Sequence, residues 1–149
     1  MACGLITKGR GLDCNRISGG IKNIYFAVYD QVLSTTVASA IVTDVDMGAS
    51  SIYKYVMPLG VSSLTDTIVG SRENGTIYYT PTLNVILNRL TKEDQNEVKL
   101  LGATRTIIFA ELNEQLTNGH NVIVCLGITN GMELNAGTMD SGAAWGDRN

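Results

Sequence analysis

The most regular pattern of hydrophobic and polar positions lies between residues 74 and 102. Within Thr76–Asn88, threonine or asparagine fills most even positions, whereas odd positions carry Ile77, Tyr79, Leu83, Val85 and Leu87. This period of two predicts a long strand with one face on a core and the other toward water or a polar partner. Pro81 cannot donate to a ladder, so it indicates an edge position or a bulge. Asn74-Gly75 favours positive φ and predicts a tight reversal before the strand.

After this strand, the residue pattern favours one short helix. Thr91 can cap the first amide groups, and two acidic residues follow it in the first turn. Val98 and Leu101 lie about one turn apart on the same side. Gly102 is suited to ending the helix in a left-handed conformation. We therefore expect a helix at about 91–101, which needs a sheet to lie on because so short a helix is marginal alone.

The remaining chain predicts short strands separated by turns. They are expected at 21–30, 37–46, 51–57, 62–70, 104–112, 121–129 and, as a short candidate, 132–136. The strand at 21–30 is apolar on both faces and predicts cover on both sides; 121–129 is also apolar on both faces and predicts a central position. The strands 104–112 and 121–129 indicate a hairpin. The expected fold is mainly β: an antiparallel β-sandwich or barrel-like domain with one short helix.

Length and composition indicate a single globular domain with an extended N-terminal arm. The chain has 149 residues, of which 44% are hydrophobic and 17% charged, enough for a real core. Residues 1–20 show no sustained periodicity and form the predicted arm, and 21–149 form the β-sandwich domain. A purely solvated arm would not need its apolar residues, which favours ordering against a neighbouring subunit. Those residues are Leu5, Ile6, Leu12 and Ile17.

Charge and hydropathy narrow the classes of partner. A net charge of −3 argues against a general nucleic-acid binder and against attraction to anionic membranes. No apolar run is long enough to span a bilayer, and the first residues lack the apolar region of a secretory signal. We therefore expect cytoplasmic synthesis with reduced thiols. Three sparse cysteines do not form a disulfide framework, and Cys125, in an apolar run, is expected to behave as a small buried hydrophobe.

The search for reactive groups predicts no catalytic, cofactor or metal site and no enzyme. His120, the single histidine, lies in a polar turn without a motif that supplies a partner. Asp44 and Asp46 share one strand face, where a solvated edge is favoured over a calcium site because further oxygen ligands are missing. No serine elbow, phosphate-binding glycine loop or zinc-binding helix is present. Trp145 either anchors a subunit contact or closes the end of the domain.

Several segments carry a resemblance to a known family. They are MACGLITKGRGLDC at the start, SGGIKNIYFAVYD, SSLTDTIVGSRENGTIYY, LTKEDQNEVKLLG, and NAGTMDSGAAWGDRN at the end. In their order and character these segments, which cover most of the chain, resemble the tail-tube subunits of tailed bacteriophages. The resemblance implies a β-sandwich flanked by one helix, with loops and arms reaching into adjacent subunits. It implies rings, commonly six-fold, stacked into a hollow tube, without catalysis or cofactor.

The same resemblance sets the expected partners and location. The chain would bind copies of itself and other virion proteins in the virion tail, while DNA passes non-specifically through a lumen lined by one sheet. In sequences of this type another strand is expected after a Gly-Asp-x-Asn turn, whereas here Asn149 follows shortly after Asp147. We expect that strand to be missing from this sequence, removed in maturation or supplied by a neighbour. Its absence would leave a sheet edge open for assembly.

Three hypotheses follow. In the first, the chain is a self-assembling tail-tube subunit, with subunit contacts expected at Leu5, Ile6, Leu12, Ile17, Arg72, Glu73 and Trp145. In the second, it is a head-decoration or neck protein, which attaches to a capsid lattice or portal and forms no tubes alone. In the third, it is a small-ligand-binding β-domain or an enzyme of unknown type, with a concave apolar pocket and convergent polar groups.

Overall fold

The structure is a computed structural model that describes residues 8–12, 18–39, 41–58, 60–88, 91–139, 141 and 144. These residues form eight strands, one α-helix and a single 3-10 turn at Tyr29–Gln31. The elements in chain order are β1 (Ile21–Val28), β2 (Ser34–Ala38), β3 (Ile41–Asp46), β4 (Tyr53–Val56), β5 (Ser63–Ser71), β6 (Thr76–Asn84), α1 (Lys92–Ala103), β7 (Thr106–Gln115) and β8 (Asn121–Leu126). The predicted class, mainly β with antiparallel sheets and one short helix, is confirmed.

A four-stranded antiparallel sheet, in the order β4-β1-β7-β8, forms the centre of the fold. Neighbouring side chains alternate between its two faces, so Ile107 and Ile108 point to opposite sides. The first face carries Ile24, Ile108 and Leu126, packed with Met57 and Ile21 in one core cluster. Partly buried residues from the rest of the chain cover this face: Leu64, Leu83, Val85 and Leu87.

The second face of the sheet has its own core cluster. Ala27 and Ile107 pack there with Met47, and Val32 and Val45 cover them from the chain around β2 and β3. Both faces of β1 are therefore covered, as its apolar pattern predicts: Ile24 on one side and Ala27 on the other are fully buried. The resulting arrangement is sandwich-like, with a two-stranded hairpin packed at its base against each face of the central sheet.

The prediction of a single strand at 37–46 is wrong. The structure contains a hairpin there, in which β2 pairs antiparallel with β3 and Ala38 lies opposite Ile41. Ser39 turns the chain with φ of 52°, a left-handed conformation that few residues other than glycine adopt. The segment lacks the Gly, Asn or Pro that mark most turns, so the apolar and β-branched residues on both sides read as one run.

The helix begins where the sequence predicts. The Thr91 hydroxyl accepts from the Asp94 N–H at 3.3 Å, and the Asp94 carboxylate accepts from the Thr91 N–H at 2.8 Å, which completes a capping box. The predicted left-handed end at Gly102 is wrong, since the helix continues through Ala103. The Thr104 hydroxyl donates to the Leu100 carbonyl at 2.9 Å and so satisfies a carbonyl near the helix end without a glycine.

The strand predicted to be central is an edge strand. β8 pairs with β7, which confirms the predicted hairpin, but no other described strand pairs with β8. β8 is apolar on both faces because a layer packs on each face of the central sheet. Leu126 joins the first core cluster and Cys125 the second. The short strand expected at 132–136 is reduced to an isolated bridge between Thr106 and Met132.

Candidate interaction surface

The hairpin formed by β5 and β6, called the long hairpin below, projects an apolar face that is packed at its base but largely exposed toward its tip. Its two nine-residue strands pair in unbroken register from Ser63↔Asn84 to Ser71↔Thr76, a length of about 30 Å. Period-two alternation then divides its side chains between two faces. The apolar face carries Leu64, Ile68 and Gly70 on β5 and Leu83, Tyr79 and Ile77 on β6, with Asp66 and Pro81 midway.

Burial changes sharply along this apolar face. At the base, Leu64 and Leu83 pack against the first core cluster. Toward the tip, Ile68, Ile77 and Tyr79 are 64%, 71% and 63% exposed. Exposed apolar groups scattered singly are ordinary, but here three lie together on one face, separated from the packed base by the Asp66–Pro81 pair alone. The apolar face therefore has the composition of a packed surface and the exposure of an unpacked one.

The opposite face of the long hairpin is polar. It is rich in threonine: Thr65, Thr67, Thr76, Thr80 and Thr82, with one Val69–Tyr78 pair near the tip. β-branched threonine suits an extended backbone exposed to water. The two faces together make the long hairpin an amphipathic ribbon, of the kind that lays one face on a partner and leaves the other in water.

Local sequence fixes the ends of the ribbon. The reversal predicted at Asn74-Gly75 is confirmed, with Gly75 at φ of +64° where a side chain would be strained. Pro81 lies in β6 opposite Asp66 without a break in the register, so the edge position is confirmed and the bulge is not observed. Because proline has no N–H, it fits a position whose N–H would point away from β5.

The β2–β3 hairpin, called the short hairpin below, packs at its base against the second face of the central sheet and is more exposed toward its turn. Val45 packs against the core, whereas Val37, toward the turn, is 53% exposed. Ile41 is 65% exposed, but its pair with Ala38 follows the Val37–Val42 pair and therefore lies on the opposite face. The register shifts between Thr36 and Val37, so the ribbon is bulged and more strongly twisted than the long hairpin. The short hairpin therefore offers a smaller and less regular apolar surface.

The predicted contact residues are only partly placed by the structure. Arg72 and Glu73 lie side by side in the exposed turn at the tip of the long hairpin. Leu12 is fully exposed and is not brought near them by any described contact. Four further predicted residues lie outside the described part of the chain: Leu5, Ile6, Ile17 and Trp145.

Sequence reasoning missed the residues that dominate this surface. The alternation of Ile77 and Tyr79 was visible, but it predicted a face lying on a core along the whole strand. Only the later part of that face, from Leu83 onward, is packed. The position of Pro81 was the available signal, because a proline in the middle of a strand indicates that the strand has a free edge.

A polar cluster on the second face is the most elaborate side-chain network described. The Glu111 carboxylate accepts from Asn23 Nδ2 at 2.6 Å, the Tyr25 hydroxyl at 3.1 Å and Asn121 Nδ2 at 2.9 Å. The hydrogen bond from Asn23 is the main cause that lowers the pKa of Glu111, against the opposing effect of burial. An ionised carboxylate bonded to three donors is a poor general base, so the cluster serves to tie β1, β7 and β8 together.

Other chemical groups in the described residues offer no reactive centre. His120 is exposed in its turn, where its backbone N–H donates to Asn118 Oδ1 at 3.0 Å. Cys125 is half-buried, and burial raises the pKa of its thiol to about 11, which keeps it protonated and unreactive. Asp46 accepts from the Gly48 N–H at 2.8 Å, and no group of three or more potential metal ligands occurs among the described residues.

One open depression of about 340 Å³ lies between the chain before β1, the start of β5 and the end of β7. Its described lining includes Gly19, Gly20, Ser63 and Leu64, with Glu114 as the charged group. A small-ligand site needs several polar groups converging in an enclosed apolar cavity. This depression is open and offers mainly backbone and small side chains, so it gives the ligand-binding hypothesis little support.

Comparisons with known proteins do not identify the chain. No protein-family model, curated protein or solved structure matches it. Within the described residues, no helix has the length and apolar character needed to cross a bilayer.

Proposed function

We propose that this chain is a structural subunit that assembles with copies of itself, and that the assembly is a ring of a bacteriophage tail tube in the virion tail. The observation that carries the proposal is the exposed apolar face of the long hairpin. A monomer gains nothing from holding Ile68, Ile77 and Tyr79 in water on a rigid ribbon. A subunit gains a preorganised contact that loses little conformational entropy on docking.

Energetics support a contact of useful strength. Full burial of one large apolar side chain is worth about 1.5–3 kcal/mol, so three that are about two-thirds exposed contribute roughly 3–6 kcal/mol when covered. That is a central cluster rather than a whole interface, which in a stable complex buries about 1,200–2,000 Å². The exposed side chains of the short hairpin and the turn at Arg72 and Glu73 supply further area.

The tail-tube part of the proposal rests on the sequence resemblance. A tail-tube subunit is expected to be a β-sandwich with one helix and reaching extensions, and the observed architecture is compatible with that description. Passage of DNA requires that the lumen does not bind it, and a net charge of −3 is compatible with that requirement.

The test is assembly of the purified protein, followed by light scattering and negative-stain electron microscopy. We expect rings or tubes with a central hole. The double variant Ile68→Thr/Tyr79→Thr replaces an opposed pair on the apolar face and should remain a folded monomer. The matched control Thr67→Ser/Thr80→Ser replaces the adjacent opposed pair on the polar face and should assemble normally.

Two outcomes would contradict the proposal. A wild-type chain that remains a 16.0 kDa monomer at high concentration would overturn self-assembly. If that monomer instead bound capsids or portals, the chain would be a head-decoration or neck protein. Rings from the apolar-face variant as abundant as those from the wild type would show that another surface drives assembly.

A further inference from the structure

Strand edges differ in how well they are protected against pairing with another chain. β6 is protected at its outer edge by Pro81, which has no N–H to offer a new strand. Pro81 fits only where its missing N–H would point away from β5. Opposed residues of an antiparallel pair point their N–H groups either toward each other or both outward, so the N–H of Asp66 also points outward. Every second residue of β5, including Ile68 and Gly70, then presents a free N–H and C=O at the outer edge.

The outer edges of the other described strands also differ in how well they are protected against pairing. β4 is only four residues long and carries Lys54, a common protection of edge strands. The short hairpin carries a bulge and the two carboxylates Asp44 and Asp46 on β3. By contrast, β5 carries a single charged residue, Asp66, among nine and no proline, and β8 contains no charged residue at all. The two longest weakly protected edges in the described chain thus belong to β5 and β8.

These two edges also suit each other chemically. Each has an isoleucine in its interior that is more than half exposed, Ile68 on β5 and Ile123 on β8. Two copies of β5 paired antiparallel with each other would bring the two Asp66 carboxylates close together, which is unfavourable. β8 has no acidic residue and raises no such conflict with Asp66.

We infer that the outer edge of β5 pairs with the outer edge of β8 of a second copy, with Ile68 beside the neighbour's Ile123. The assignment rests on the proposed self-assembly and specifies its contact. Such a contact joins two different surfaces, so one copy keeps a free β8 edge and the other a free β5 edge for further neighbours. Backbone hydrogen bonds supply the pairing, and the two isoleucines supply the apolar part.

A proline substitution at the outer edge of β5 tests whether this edge pairs with another chain. In Asp66→Pro the new ring replaces an outward N–H and leaves the ladder to β6 intact, so the variant should fold but lose assembly. Asp66→Asn, which removes the charge and keeps the N–H, should assemble like the wild type. Circular dichroism and thermal melting establish folding, and light scattering measures mass. A folded Asp66→Pro variant with wild-type mass would overturn the assignment.

Disulfide trapping tests the partner edge without relying on a proline. In a background of Cys3→Ser, Cys14→Ser and Cys125→Ala, chains carrying Ile68→Cys are mixed with chains carrying Ile123→Cys and oxidised. We expect a cross-linked dimer in the mixture, at least tenfold more than with either variant alone.

The outcomes separate this inference from the proposed function. Assembly without cross-linking in the mixture, or equal cross-linking by Ile68→Cys alone, overturns the β5–β8 contact and leaves self-assembly standing. A wild type and a background chain that both remain monomeric overturn both the β5–β8 contact and self-assembly.

Discussion

The central sheet and the long hairpin are made from the same kind of strand, yet only one of them is buried. β7 runs Thr106–Gln115 with Ile107 and Ile108 covered on opposite faces by two different layers. β6 runs Thr76–Asn84 with comparable aromatic and β-branched residues, and most of it is exposed. The difference lies in what packs against each strand rather than in the strand itself. The exposed apolar face of the long hairpin is the surface on which we propose that a second copy packs.

The largest effect is expected when a buried isoleucine of the central sheet is truncated. Ile107→Ala removes a side chain that is 1% exposed and should lower the free energy of unfolding by about 2–5 kcal/mol. The matched change Ile77→Ala, on the exposed apolar face, should alter it by less than about 0.5 kcal/mol while weakening assembly. Urea unfolding at a concentration that keeps the chain monomeric measures both. Equal losses would show that the hairpin face is packed within the monomer.

The next effect concerns the polar cluster that ties three strands of the central sheet. In Glu111→Gln one acceptor oxygen becomes an N–H donor facing other donors, among them the buried Asn23. We expect a loss of about 1–3 kcal/mol in the free energy of unfolding. Glu114→Gln, an exposed change on the same strand, is the control and should have almost no effect.

The same cluster predicts a pH dependence. The pKa of Glu111 is lower in the folded chain than its ordinary 4.5, chiefly because Asn23 donates to the carboxylate. Its contribution to stability is therefore fully present above pH 4.5 and is lost as pH falls through the lowered folded value. The difference in unfolding free energy between wild type and Glu111→Gln should shrink as pH falls from 7 toward 3. A difference that stays constant would mean that the charge of Glu111 does not matter.

A smaller effect is expected at the helix. Thr91→Ala removes the side chain that caps the Asp94 N–H and should cost about 1 kcal/mol. Thr91→Ser keeps the hydroxyl and should restore most of that loss. Thermal unfolding of the two variants measures the difference. A loss equal in both would show that the threonine methyl group, rather than the cap, stabilises this end of the helix.

The smallest effect is expected at Ser39, in the turn of the short hairpin. Ser39 adopts φ of 52°, a conformation that asparagine tolerates better than serine. Ser39→Asn should therefore raise the free energy of unfolding by about 0.5 kcal/mol. Ser50 does not have a positive φ, so Ser50→Asn should give no such gain. Chemical denaturation resolves the two if both variants are measured in parallel.

Local features of the fold were predictable because their physical causes lie within a few residues. Thr91 caps the helix through neighbours three positions away, and Gly75 permits the reversal by its own conformational freedom. The strands β1 and β7 follow directly from their runs of β-branched and aromatic residues. By contrast, Gly102 does not end the helix, because Thr104 satisfies the carbonyl of Leu100 instead.

Features that depend on cover from distant residues were not predictable. The apolar pattern of β8 is the same whether another strand or another layer lies beside it, so its edge position could not be deduced. The core predicted for the whole of β6 exists only from Leu83 onward, where the side chains reach the first core cluster. Likewise, Arg72 and Glu73 were predicted as contacts, while the apolar face leading to them was not.

Hydrogen exchange of the long hairpin at low and high protein concentration shows whether this hairpin is the assembly surface. Light scattering on the same samples reports assembly. As mass increases, we expect the outward amides of Asp66, Ile68 and Gly70 to gain protection, while those of β1 and β7, already buried, do not change. An increase in mass with unchanged exchange along β5 would contradict the claim that this hairpin is the assembly surface.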